Sequence, residues 1–500
     1  MARFLRSFPG ALFVLIGGYF LLNMAVRLCL PSALELDEAQ QAMVSQWLAA
    51  GYDTQPPFYN WAQYAVVSVF GPSVFALTLL KNLMLCLAYV AYGLTARLLL
   101  KDRDLAIIAT LGLLTIPQIA FEAQRDLTHT VAVIFAAALF LYGFFRTLVA
   151  PSAFSYLLTG AAIGIGLISK YNFAILPAAA LLAVLPEKEM RARLFDWRLL
   201  LTAVVALAIL LPHALWLIDN FALASKQTME KLTDEGTSRI AQIGQGVLSL
   251  AIAIVGFSAT TVVLFAIAFG KDLFAALRAG NRWTALIERM FVIFIAAILL
   301  LVLFAGASHI KDRWMTPLLL ILPLYLSLKL EAAGGAKATY LKRFLPIPLA
   351  IMVLVPAILF GRIATAGWTG NYEKLNVPYA AFASEVVNGT SPRPAAIIAA
   401  DQHLAGNLRI QLPHIPVLTP AYPSFDPPYE WNENSPVLLV WRNGGKPNPP
   451  QPAALSALLA ARHGVSARVG ESGEIALPFT YGKGDDRYSF GYAWVYPPVE

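Results

Sequence analysis

The chain has 500 residues, of which 58% are hydrophobic and 13% charged, and its mean hydropathy is +0.63. Soluble domains carry about 25% charged residues, so a string of soluble domains is excluded and a polytopic membrane protein is indicated. The formal net charge of +7 does not mark a nucleic-acid binder, because the basic residues sit mainly in short stretches between apolar runs. Cys29 and Cys86 each lie inside an apolar run and offer neither metal-ligand spacing nor a disulfide framework.

Apolar runs fall at about 12–30, 73–96, 105–121, 127–145, 154–169, 172–186, 199–217, 246–270, 290–306, 314–328 and 345–361. They predict roughly eleven spans. The first run follows Arg3 and Arg6, is long for the core of a signal peptide and lacks an A-x-A site, so it reads as a retained helix. With the N-terminus inside, the stretches outside the runs up to residue 361 hold 18 Lys and Arg on the inner side and 7 on the outer. That excess supports the N-in orientation. An odd number of spans then leaves the C-terminal part outside.

The first outer loop, 31–72, contains no Lys or Arg. Its opening, LELDEAQQ (34–41), sets Glu35, Asp37 and Glu38 directly beyond the first span. Carboxylates gain nothing from an apolar interface or an anionic lipid surface. They are solvated, cap a helix, or do chemistry. In the chemical reading Asp37 is a general base at a membrane-surface site. In the structural reading it satisfies free N–H groups at a helix start. Met43, Val44, Trp47 and Leu48 recur at helical spacing and predict a short amphipathic helix on the membrane surface. In DTQPPFYNW (53–61), Pro56–Pro57 stops one helix and can begin another, with Phe58, Tyr59, Trp61 and Tyr64 suited to the interface.

Later outer loops supply partners. QRDLTHT (124–130) brings Arg125, Asp126 and His129 together; Asp126 either acts at a site or opens the next helix as its cap. Lys170–Tyr171–Asn172 breaks an over-long apolar stretch, and the lysine either snorkels or meets a phosphate. SHIKDRW (308–314) crowds His309, Lys311, Asp312 and Arg313 together. This cluster fits an anionic ligand such as a lipid phosphate, or else a solvated loop with local ion pairs. The loop 218–243, with Asp219, Lys226, Lys231 and Arg239, is either a flap near the site or a solvated helix. GAAIGIG (160–166) lies within a span and reads as close helix packing. There is no P-loop, no G-x-G-x-x-G after a strand, no H-E-x-x-H, no C-x-x-C and no G-x-S-x-G. Nucleotide-activated donors are made inside the cell, so chemistry on the outer face points to a membrane-borne activated substrate.

After residue 362 proline, asparagine and glycine become frequent. Short apolar runs at 394–401, 415–418, 435–441, 465–470 and 491–496 read as strands, and 452–464 as a helix. The expected organisation is a transmembrane catalytic domain over 1–361 and a small outward-facing α/β domain over 362–500.

This succession resembles the membrane-integral glycosyltransferases of the GT-C class that use lipid-phosphate sugars. It is most similar to the bacterial branch related to protein O-mannosyltransferases and to aminoarabinose transferase of lipid A. The residues that carry the likeness are L-D-E at 36–38, Q-P-P-F-Y at 55–59, R-D at 125–126, S-K-Y at 169–171 and K-D-R-W-M-T-P at 311–317, followed by Pro323. Members with K-D-R-W in this loop and a Tyr/Trp-rich C-terminus resemble the rhizobial galacturonic acid transferases of lipopolysaccharide core and lipid A.

The resemblance implies an inverting transferase in the bacterial inner membrane with its site facing the periplasm. The implied donor is a polyprenyl-phosphate sugar carrying galacturonic acid, aminoarabinose or a hexose. The implied acceptor is lipid A or lipopolysaccharide core. Asp37 matches the family's essential first-loop aspartate and Asp126 its second-loop acidic residue. Glu38, Gln55, Tyr59, Arg125, His129, Lys170, His309, Lys311 and Arg313 are the implied substrate contacts. Gln55 stands where relatives often have a basic residue, and Thr54 where some have a metal-binding glutamate. This departure leaves a divalent cation undecided and moves phosphate binding to Lys170, Lys311 and Arg313. The alternatives are a protein-directed enzyme of the O-mannosyltransferase type, a lipid or sugar transporter with Lys81 as its mid-span charge, and an assembly protein acting through its outer domain.

Overall fold

Apolar runs lacking β-branched alternation and long enough for several turns fold as helices, and every run read from the sequence is helical. The computed structural model describes all residues except 8–9, 223, 225–237, 336, 338, 389–392, 465–466 and 499–500. Lys226 and Lys231 of the expected flap therefore lie outside the described residues. In chain order the main helices are α1 (Ala11–Leu28), α2 (Leu36–Val44), α3 (Phe58–Phe70), α4 (Val74–Leu99), α5 (Arg103–Leu111), α6 (Thr128–Val149), α7 (Ala153–Leu167) and α8 (Ile175–Val184). There follow α9 (Leu199–Asp219), α10 (Arg239–Phe269), α11 (Arg282–Ala305), α12 (Leu322–Ala332) and α13 (Tyr340–Ala364).

Among the described residues seven helices are long and apolar enough to cross a membrane: α1, α4, α6, α9, α10, α11 and α13. The pair Arg103–Thr115 and Gln118–Arg125, bent by 70°, adds an eighth if it counts as one span. The difference from roughly eleven has a geometric cause. The run at 154–169 folds as α7, 15 residues long, which at about 1.5 Å per residue falls short of a hydrocarbon core of about 30 Å. The run at 172–186 forms another short apolar helix, Tyr171–Val184. The run at 314–328 is divided between Thr316–Leu319 and α12, each with proline near its start.

Contacts group the chain into two compact units. The first comprises 1–21, 50–59 and 81–355. Within it α7 packs on both α6 and α9. The glycine pattern explains how close α7 and α9 come: a Cβ on Gly160 would stand 2.5 Å from the Thr202 carbonyl oxygen, and one on Gly164 2.8 Å from Ile209 Cβ. Small residues at such spacing let helix backbones approach within the membrane.

The second unit comprises 22–49, 60–80 and 356–500. It holds a five-stranded sheet of β1 (Ala396–Ala399), β2 (Val417–Leu418), β3 (Val437–Trp441), β4 (Arg468–Pro478) and β5 (Arg487–Tyr496). The order is β2-β1-β3-β5-β4, with β2, β1 and β3 parallel and the other pairings antiparallel. The crossover from β1 to β2 is α14 (Gln402–Gln411), and α15 (Ala453–His463) follows β3. Ile398, Leu418, Leu439, Leu455, Leu459 and Val495 form the core of this sheet. The strand expected at 465–470 runs on to residue 478, and α14 had no counterpart among the predicted elements. Nearly all of β4 is exposed, so it carries no alternation, and α14 contains Gly406 and Asn407 in a stretch with few apolar residues.

α2 belongs to this second unit. The sequence predicts a helix lying on a membrane surface, but Met43 and Val44 are wholly buried in protein. α2 packs along α14 so closely that a Cβ on Gly406 would lie 1.9 Å from the Ala39 carbonyl oxygen. The Leu34 backbone is held from α14 at both ends. Its N–H donates to Asn407 Oδ1 (2.9 Å), and its carbonyl lies 2.8 Å from His403 Nε2. Gln46 exchanges two hydrogen bonds with the Val417 backbone, both at 3.0 Å, and Trp47 stacks on Phe425.

Candidate active site

In the second unit three neighbouring carboxylates meet three environments. Glu35 is buried at the cap of α2 and paired with Arg362. Burial pushes its carboxyl above the usual range, and the Arg362 guanidinium pulls it back. Glu38 is buried too, 3.0 Å from the Arg27 guanidinium and bonded back to the Glu35 N–H, closing a capping box. Asp37 stands in the first turn of α2, half-buried, with no part in that box.

In the first unit the predicted loops are tied to one another. Phe58 N–H donates to the Ile168 carbonyl (2.9 Å), joining the stretch after Pro56–Pro57 to the Lys170 turn. Lys170 Nζ reaches Thr130 Oγ1 at 3.4 Å, one residue past His129. Asn172 Nδ2 donates to the Trp314 carbonyl (3.1 Å), and Gln118 Nε2 to Asp312 Oδ2 (2.6 Å). Four separated segments thus share one corner: 53–59, 118–130, 168–172 and 310–314. Tyr59 is buried, with its ring 6.2 Å from that of His129, which is buried as well. Gln55 is half-buried, and its N–H is fixed by Asp53 Oδ1. Lys311 and His309 are exposed and Arg313 is half-buried.

The second-loop turn is unusual. Arg125 pairs with Glu122 at 2.7 Å. The cap position of α6 falls on Leu127, not Asp126, and Leu127 makes no side-chain capping hydrogen bond. Leu127 adopts left-handed backbone, φ 62° and ψ 55°, a conformation that is strained for a leucine and recurs at functional sites. Asp126 beside it is half-buried.

Three residues join this corner that the motifs did not single out as part of it. Asp53 acts electrostatically on both His129 and Tyr171. Lys81, buried in α4, reaches the Gln124 carbonyl at 3.5 Å. His213 of α9 joins the Tyr171 hydroxyl (3.0 Å) to the Ala50 carbonyl (3.0 Å) and stacks on Trp216. An ionisable residue inside an apolar run is the signal that points to His213 and to Lys81; for Asp53 the only signal is its place beside the proline pair. Among the described residues no group of three His, Cys, Asp or Glu side chains is arranged to hold a metal ion.

Comparison with known proteins extends this picture. A family model described as dolichyl-phosphate-mannose-protein mannosyltransferase matches residues 54–216. The chain is 54% identical over 491 residues to lipopolysaccharide core galacturonosyltransferase RgtB of Rhizobium johnstonii, covering 97% of this chain and 98% of that one. It is 47% identical over 490 residues to lipopolysaccharide core galacturonosyltransferase RgtA of the same organism, covering 97% of each. Among solved structures, ArnT from Cupriavidus metallidurans bound to undecaprenyl phosphate has the same fold, with a TM-score of 0.62 at 14% identity over 97% of this chain and 98% of that one.

Proposed function

The chain belongs to the family of the rhizobial lipopolysaccharide core galacturonosyltransferases, polytopic membrane glycosyltransferases of the GT-C group, and on that premise we propose that it moves galacturonic acid from a polyprenyl-phosphate donor to lipopolysaccharide core. Transfer proceeds with inversion on the periplasmic face of the inner membrane. The observation that carries this reading is the 54% identity sustained across nearly the whole of both chains.

The leaving group in such a donor is a phosphate with a second pKa of about 6. It needs little protonation but gains from cations. Lys170, Lys311 and Arg313 supply them, with Gln55, His129 and His309 as further contacts to the donor head. The link from Asn172 to Trp314 supports a shared role for these segments. The acceptor hydroxyl must lose a proton, and Asp37 is the base. Asp126 orients the acceptor, together with Arg125 and Tyr59. Glu38 acts indirectly, through the start of α2.

The test is transfer of labelled galacturonic acid from polyprenyl phosphate to lipopolysaccharide in proteoliposomes. Asp37→Asn is expected to abolish transfer with an unchanged melting temperature; ordinary turnover in that variant removes the mechanism. The match of 54–216 to a protein mannosyltransferase model gives a protein acceptor some support. Label appearing on protein rather than lipopolysaccharide would decide for it.

A further inference from the structure

The second unit contains a cavity of about 460 Å³ that the proposed chemistry does not use. Tyr372, Phe479 and Tyr488 give it an aromatic wall, and Lys374, Asp401 and Arg442 its polar floor. Tyr372 stacks face to face on Phe479, 4.0 Å between centroids and 7° between planes, and Phe479 meets Tyr488 edge-on. Arg442 is locked. It donates to both oxygens of Asp401 (3.0 and 3.2 Å), to His403 Nδ1 (2.9 Å) and to the Tyr379 hydroxyl. Glu373 also lines the cavity but lies 3.9 Å from Arg362. Lys374 has no carboxylate partner among the described residues, while its charge is felt at Glu35 and His403. At one edge is Leu36, the residue before Asp37.

Flat aromatic faces beside planar, pre-oriented polar side chains are what a pyranose ring requires: apolar faces for its C–H groups and fixed donors and acceptors for its hydroxyls. The volume is that of a small-molecule site. An ammonium without a carboxylate partner adds a seat for a negative charge. We propose that this cavity binds an acidic saccharide unit of the acceptor. The assignment rests on the reading above that the acceptor is a saccharide.

The experiment titrates lipid-free core oligosaccharide, released from lipopolysaccharide, into the full-length chain in detergent with no donor present. Saturable binding is expected. Lys374→Ala and Tyr372→Ala should each weaken it at least fivefold without lowering the melting temperature. Reducing the carboxyl groups of the oligosaccharide should weaken binding to the unaltered chain at least fivefold and have little effect on Lys374→Ala. No saturable binding by a folded chain, or unchanged affinity in both variants, overturns the assignment; if Tyr372→Ala fails to fold, Lys374→Ala alone decides. Binding with these dependences but no transfer from labelled donor would remove the transferase reading and leave the cavity assigned. Transfer without binding would do the reverse.

Discussion

Glu35, Asp37 and Glu38 show how little residue type says about role when environment differs. Removing one member of a buried ion pair strands the other charge. Glu38→Ala is therefore expected to destabilise the protein by about 3 kcal/mol, because the largely buried Arg27 is left, among the described residues, with only the Pro31 and Ala33 carbonyls. Asp37→Asn keeps the size and most of the hydrogen-bonding capacity of a half-buried side chain that takes no part in the capping box. A thermal melt of the two variants separates the roles: a drop for Glu38→Ala and none for Asp37→Asn. The cations differ in kind again. Replacing Lys311 or Arg313 by Ala is expected to raise the apparent KM for donor roughly tenfold or more, the worth of one charge-assisted hydrogen bond, with smaller effects on acceptor KM. Equal KM values in both would count against the phosphate role.

His403 carries a pH dependence whose sign follows from its contacts. Arg442 can only donate, so His403 Nδ1 accepts and the ring proton sits on Nε2, donating to the Leu34 carbonyl. Burial and the neighbouring guanidinium push this imidazole down to about 4, against weaker opposing pulls from the Leu34 carbonyl and Asp401. The unfolded chain binds the proton near pH 6.5, so between about 6.5 and 4 it holds more protons than the folded one. Stability falls as pH is lowered through that window, by on the order of 3 kcal/mol, and this contribution is constant above it. The difference in melting temperature between the unaltered chain and His403→Gln, followed from pH 7 to pH 4, should shrink as pH falls. A constant difference would mean that His403 does not carry this dependence.

At the scale of elements, two contacts depend on glycine because backbone meets backbone. Any side chain at Gly406 enters the space of the Ala39 carbonyl. Gly406→Val is expected to force α14 off α2, costing about 3 kcal/mol or more and loosening the helix that bears Asp37. Protection of amides in 36–44 from hydrogen exchange reads that directly; full protection would refute it. Close packing of α7 through Gly160 and Gly164 was legible in the sequence as a glycine pattern within an apolar run, since small residues at helical spacing are a local signal; that the partner is α9 was not. The pairing of α2 with α14 was not. Its partners are separated by 373 positions at the Leu34–Asn407 bond, and α14 lacks the apolar periodicity that marks a helix. The same limit explains the misplaced burial of α2. Periodicity shows that Met43 and Val44 share a face with Trp47, but it does not distinguish a lipid surface from a protein one.

For the whole molecule, the second unit draws together the end of α1, the first loop apart from 50–59, and the C-terminal sheet. Leu34, Ala39 and Ala42 form one apolar cluster, with Ile410 of α14 packed against it. A chain ending at residue 393 would therefore expose that cluster, and its first loop is expected to become protease-sensitive. Trypsin cannot report this, because 31–72 contains no Lys or Arg; chymotrypsin, with Trp47 in the second unit, can. Resistance equal to that of the full chain would show that the loop is ordered without the sheet.

The sequence by itself determined the membrane class, the position of each helical run, the strands of the C-terminal sheet apart from most of β4, and the family. The family came from the likeness of short motifs; the rest are properties of local composition and periodicity, which the hydrophobic effect and backbone hydrogen bonding translate into helices and strands wherever the pattern occurs. Only the tertiary structure decided that Glu35 and Glu38 are buried in ion pairs, that α14 holds the start of α2, and that Asp53, Lys81 and His213 join the corner of Lys170 and Trp314. Those outcomes depend on which distant side chains arrive within hydrogen-bonding range. Such bonds act over about three ångströms in space, and they leave no trace in the order of residues along the chain.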